Sequence, residues 1–128
     1  MNRIRYSKAN ISGNIFFQMP KFLFSSEFNS LNNDGRVLYS IMRERFALSL
    51  KNGWFDDEGN TYLYYKRSEM QQYLGASEGA VKRAMDALKK HGLVEEKKQG
   101  LGRPNRIYLL MPVDEDNSAK TLAPLGNI

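Results

Sequence analysis

The chain of 128 residues has no cysteine, one histidine and one tryptophan. Without cysteine there are no disulfides and no thiol chemistry, which suits a reducing cytoplasm. One histidine and no thiol cannot assemble the usual zinc sets, a Cys-His dyad, or a nickase site built on paired metal-binding histidines. No Gly-x-x-x-x-Gly-Lys-Ser/Thr stretch is present, which excludes a P-loop ATPase. No run of about 18 apolar residues occurs, so no membrane-spanning helix is expected. The opening MNRIRYSKANISG lacks an apolar h-region, so no secretory signal is expected. No catalytic residue, metal ligand or cofactor site is nominated, and the expectation is a protein that is not an enzyme.

What the chain has is charge of one sign in one place. The net charge is +5. Between Lys82 and Arg106 stand eight basic residues (Lys82, Arg83, Lys89, Lys90, Lys97, Lys98, Arg103, Arg106) against three acids (Asp86, Glu95, Glu96). That span, about a fifth of the chain, carries the whole excess, and the remainder is neutral. Such a concentration is an electrostatic footprint for a polyanion.

Along the chain, residues 1–14 are polar, basic and aperiodic, and are expected to form a flexible arm. The apolar IFFQMPKFLF at 15–24, interrupted by Pro20, predicts a short strand and a turn. From Asn33 the residues Val37, Leu38, Ile41, Met42, Phe46 and Leu48 recur at helical steps, predicting a helix of about 17 residues that stops near Asn52-Gly53. Its apolar arc exceeds half the wheel, wider than a one-sided core contact requires. Either it lies in the middle of the domain, or part of it meets a second subunit.

Trp54-Phe55 and TYLYY (61–65) flank the turn-like DDEGN, predicting a central β-hairpin. A short helix over 67–74, capped by Ser68 and ended by Gly75, precedes a second over 77–91, capped by Ser77 and stopped by Gly92. Val81, Ala84, Met85 and Leu88 are its inward residues. LVEEKKQ (93–99) and NRIYLL (105–110) read as strands joined by GLGRP, with Ile107 and Leu109 facing the core. Gly100 and Gly102 accept positive φ and Pro104 cannot donate to a ladder, so the chain turns there. Residues 112–128 have no periodicity and are expected to be a linker-like tail, with a C-terminal domain absent.

Two turn-linked helices and a basic hairpin make an α+β winged helix-turn-helix, extended by the N-terminal strand or helix and the central hairpin. The second helix of such a unit fits a major groove about 12 Å wide. Glu78, Gly79, Lys82, Arg83 and Asp86 occupy its outer face. A solvated basic face is the plain alternative, and the paired helix and basic hairpin weigh against it. Lys89 and Lys90 lie in the last turn, where cations also favour the helix dipole, so a structural role stays open for both. His91 reads as a helix-end partner, not a base. Asp56-Asp57-Glu58 reads as a solvated turn, and the aromatics of 54–65 as core and interface before base-stacking. Gly-x-Gly in GLGRPN precedes a strand, so it is no dinucleotide loop.

FFQMPKFLF, then VLYSIMRERFALSLKNGWFDDEGNTYLYY (37–65), then QGLGRPNRIY (99–108) resembles the N-terminal domain of RepA-type replication initiators of Gram-positive theta-replicating plasmids, the RepA_N family. The resemblance covers about residues 15–110. It implies a winged-helix domain that binds double-stranded DNA at origin repeats within the initiator's own coding region, self-association as a homodimer, and a bacterial cytoplasmic setting. It also implies a variable second domain beyond a linker, through which host replication proteins would be recruited. The recognition helix is then Ser77–His91, with Ser77, Glu78, Gly79, Lys82, Arg83 and Lys90 as candidate contacts. The wing supplies Lys97, Lys98, Gln99, Arg103, Asn105 and Arg106. A winged-helix transcriptional regulator and an adaptor for an acidic protein remain the competing readings. The dimer surface is expected on the 33–49 helix and the N-terminal aromatic segment.

Overall fold

The computed structural model describes residues 2–113; the expected tail lies, apart from its first two residues, outside that range. Three α-helices are followed by a two-stranded antiparallel sheet: α1 Asn33–Asn52, α2 Arg67–Leu74, α3 Glu78–Lys90, β1 Val94–Lys97 and β2 Arg106–Leu109. This is the α+β order of helix-turn-helix and wing. None of the described helices is long and apolar enough to cross a membrane.

α1 starts at Asn32, whose side chain accepts from the Gly35 N–H at 2.7 Å, and ends at Gly53. Its first half is central: Leu38, Tyr39, Ile41 and Met42 are buried. The Tyr39 hydroxyl donates to the Leu110 carbonyl at 2.7 Å, and burial pushes its pKa up to about 12. Its last turns leave Leu48 and Leu50 about half exposed. The first half of the helix is thus central, the first of the two alternatives for it, and its last turns are open to solvent.

The strand expected in 15–24 does not form. Residues 15–20 carry no regular structure, and Lys21–Phe24 and Ser26–Phe28 are 3-10 turns. Arg36 supplies the reason. Its Nε donates to the Leu23 carbonyl at 2.8 Å and its Nη2 to Phe28 at 3.1 Å, so a side chain satisfies these carbonyls in place of a neighbouring strand. Residues 2–14 hold a local turn in which Asn10 accepts from the Ser7 N–H and donates to the Arg5 carbonyl, while Asn14 donates to the Tyr6 hydroxyl.

The central hairpin is also less than expected. The Asp56 carboxylate accepts from the Glu58 and Asn60 backbone N–H groups at 3.0 and 2.9 Å, closing the turn. A single bridge, Phe55 to Thr61, joins the arms. The returning arm then leaves its partner, because Leu63 and Ile107 exchange N–H···O bonds at 2.9 Å and add a third, one-residue rung to the wing.

Ser68 does not cap α2. Lys66 is the N-cap, its N–H donating to Glu69 Oε1 at 3.3 Å, and Ser68 sits within the first turn. Ser77 caps α3 as its position suggested, accepting from the Ala80 N–H at 3.1 Å. Between the helices Gly75 takes φ 61°, a left-handed conformation that non-glycine residues adopt at a cost. Val81, Ala84, Met85 and Leu88 are buried as expected, against Leu38, Met42, Leu63, Met70, Leu93 and Ile107. Fully burying a leucine such as Leu88 contributes about 1.5–3 kcal/mol. His91 closes α3: its Nδ1 lies 2.8 Å from the Ala87 carbonyl and Nε2 2.9 Å from Ser30 Oγ. The carbonyl can only accept, so Nδ1 carries a proton, and the histidine joins the helix end to the N-terminal 3-10 segment.

Candidate nucleic-acid interface

The outer face of α3 is an exposed stripe comprising Glu78, Gly79, Lys82, Arg83, Asp86 and Lys90, opposite the buried face just described. Its two leading cations differ. Lys82 Nζ is 2.7 Å from Asp86 Oδ2, one turn on, and that hydrogen bond holds the Asp86 carboxyl below its usual range. Arg83 folds back over Gly79: a Cβ there would lie 3.2 Å from Arg83 Nη1. Glycine at 79 thus makes room for a guanidinium beside the helix start.

Lys89 is withdrawn from this face. Its Nζ lies 2.6 Å from Glu96 Oε1 on β1, the same oxygen that Arg67 Nη2 of α2 approaches at 2.5 Å. Lys90 stays exposed, with no ion-pair partner among the described residues.

The wing strands pair Val94 with Leu109 through Lys97 with Arg106. They are shorter than the runs at 93–99 and 105–110, because the chain turns through Gly100 (φ 108°) and Gly102 (φ 76°). Lys97, Lys98, Arg103 and Asn105 are exposed. Gln99 is half buried, its Nε2 donating to the Pro104 carbonyl at 2.7 Å and to the Tyr64 hydroxyl at 3.3 Å, so it closes the neck of the wing loop. Arg106 is also engaged. Its guanidinium lies 4.3 Å from the Tyr62 ring centroid, and its Nε is buried with no hydrogen-bond partner among the described residues. The Tyr108 and Tyr64 phenol oxygens raise its already high pKa.

Arg106 belongs to an aromatic layer on the outer face of the wing. Trp54 meets Tyr64 at 5.4 Å, Tyr64 meets Tyr62 at 5.5 Å, and Tyr62 meets Tyr108 at 6.1 Å, with edge-on geometries. Lys97 covers the Tyr108 ring at 5.8 Å, and the Tyr108 hydroxyl donates to Asp56 Oδ2 at 2.9 Å. The Asn60 backbone N–H, aided by Tyr108, holds the Asp56 carboxyl below its usual range. Trp54, Tyr62 and Tyr64 are therefore packed against one another, and Asp56 is a turn-closing residue.

Two residues of the site escaped the sequence reading. Leu101 stands fully exposed at the wing tip, at 105% relative exposure. Its signal was available: an apolar residue between two turn glycines has no core to reach. Arg67 was not nominated because its partner Glu96 lies 29 positions away.

The sequence profile of the family described as "Replication initiator protein A (RepA) N-terminus" matches residues 15–120. A 41 kDa protein of Lactobacillus helveticus is 35% identical over 115 residues, 84% of this chain and 33% of that protein. The chain thus spans about a third of that relative's length. A solved N-terminal domain of a DNA-binding protein superposes with TM-score 0.72 at 29% identity, covering 91% of this chain and 89% of that one. A Rep–DNA complex gives 0.70 at 32% identity, covering 89% of each chain. An MDR initiator gives 0.68 at 30%, covering 89% of this chain and 91% of that one. The chain belongs to the RepA_N family, the N-terminal part of replication initiator protein A.

Proposed function

We propose that this domain binds double-stranded DNA at repeats of a plasmid origin, stoichiometrically and without catalysis, as the first step of replication initiation in the bacterial cytoplasm. The observation that carries the reading is the placement of cations with no ion-pair partner among the described residues. Arg83 and Lys90 on α3, and Lys98 and Arg103 on the wing, are exposed, whereas Lys89 and Arg67 share the one carboxylate of Glu96. A helix of 13 residues is about 20 Å long, enough to lie in a major groove. Arg83 and Lys82 reach base edges or flanking phosphates; Lys97, Lys98 and Arg103 reach phosphates beside the adjacent minor groove, with Leu101 at its floor. Gln99 and Arg106 act from behind, by holding the loop and the strand that carry those contacts, and Asn105 flanks the tip.

A homodimer is the expected working form. Duplex opening and recruitment of host replication proteins are assigned to the further length that relatives of this chain carry. Footprinting on tiled duplexes from the gene's own coding sequence tests the reading. Protection of repeats within that sequence is the expected result. Protection confined to a promoter would make the protein a transcriptional regulator. No duplex binding at ~50 mM salt, where phosphate contacts are strongest, would leave only the protein adaptor.

A further inference from the structure

Three acids interrupt the basic span, and one of them points inward. Directly opposed residues of an antiparallel pair share a face, so Glu96, opposite the buried Ile107, is directed toward the core while Glu95 and Lys97 face out. Only 9% of the Glu96 side chain is exposed. Its Oε1 receives Arg67 from the first turn of α2 at 2.5 Å and Lys89 from the last turn of α3 at 2.6 Å. Asn105 Nδ2, at the far side of the wing loop, lies 3.5 Å from Oε2. One carboxylate therefore touches both helices of the helix-turn-helix and both limbs of the wing.

We propose that Glu96 is a positioning residue for DNA recognition, fixing the pitch of the wing against α3 so that both meet one duplex in register. The inference rests on the DNA-binding reading above. Folding stability alone does not account for the arrangement, because buried ionic clusters replaced by apolar groups of similar size are often equally stable or more so. An ionic junction supplies direction: a single carboxylate position satisfies two fixed cations, whereas an apolar contact tolerates sliding. Burial pushes the Glu96 carboxyl up, but hydrogen bonds from Lys89 and Arg67 outweigh it and hold the group below its usual range, so the junction is ionised at neutral pH. The same junction keeps two cations away from phosphates. Non-specific attraction is thereby limited to the groups that touch DNA in the docked orientation.

The test compares the wild-type chain, Glu96→Gln and Lys89→Gln on two probes: the coding-sequence tile protected in footprinting, and a random duplex of equal length. For Glu96→Gln, affinity for the protected tile falls roughly tenfold, the equivalent of one base contact. Affinity for the random duplex rises instead, with a salt slope steeper by about one to two units as Arg67 and Lys89 become available. Lys89→Gln also loses affinity for the tile but gains none for the random duplex, since it removes a cation. A stability defect alone would lower both affinities in proportion. If the wild type separates the two probes and both variants keep that ratio, the junction is structural and this inference is overturned. A wild type that does not separate them overturns the specific-binding reading and this inference with it. If Glu96→Gln shows no cooperative melting, Lys89→Gln decides.

Discussion

Arg106 and Lys98 carry the same charge on the same wing and have different surroundings. Arg106 stacks on Tyr62 and is half buried, whereas Lys98 is exposed at the edge of the loop. Arg106→Ala is expected to lower unfolding free energy in urea by about 1–2 kcal/mol, through loss of a partly desolvated cation–π contact and of packing. Lys98→Ala leaves stability within about 0.5 kcal/mol and weakens DNA binding alike on all sequences, its salt slope smaller by about one unit. The reverse pattern in the two variants would remove this division of labour. From sequence both residues read as DNA-facing, because composition counts charges without neighbours. Tyr62 and Tyr64 lie over forty positions before Arg106, and the Leu63–Ile107 bridge that brings them together has no sequence signature. Ser77, Val81, Ala84, Met85 and Leu88 were legible, because cap and apolar period are local properties of one helix.

Among the elements, α3 was the most legible and the sheet the least. Helical periodicity repeats over many residues, while β pairing depends on partners far along the chain, so the 15–24 and 54–65 segments were each read as more strand than they are. Lys97 and Arg106 sit directly opposite each other, a like-charge pair that is unfavourable by itself and is relieved by the rings of Tyr108 and Tyr62. α3 also permits stability and binding to be separated. Gly79 is helical and exposed, so Gly79→Ala should stabilise the helix by up to about 1 kcal/mol. The added methyl, however, meets Arg83 Nη1 at 3.2 Å, so the guanidinium must shift by a few tenths of an ångström. The expected variant melts higher and binds the protected repeat more weakly. Higher stability with unchanged binding would show that Arg83 does not act from its position over Gly79.

At the scale of the molecule, the excess charge and most of the exposed apolar side chains lie in different parts of the chain, Leu101 at the wing tip excepted. The excess of +5 lies between residues 82 and 106, and the neutral remainder includes α1 and the N-terminal aromatics. Ile15, Phe16, Leu48, Leu50 and Phe55 are all about half exposed or more. A groove of about 440 Å³ beside α1 is lined by Leu50 together with Tyr39, Arg43, Phe46, Ala47, Leu109 and Met111. Exposed apolar surface of this kind is the expected contact of the homodimer. A two-fold pair also demands half-sites one helical turn apart or a multiple of it, about 34–36 Å, and so predicts phased protection in footprints. Leu50→Glu places a charge in the groove at a residue that is 48% exposed, so the monomer fold should tolerate it. The variant should sediment as a monomer at every concentration and keep its affinity for a single half-site. On a phased pair it should lose the gain that linkage between two bound copies provides. A wild type that sediments as a monomer throughout would reject the dimer. A Leu50→Glu variant that still dimerises would move the interface to another face.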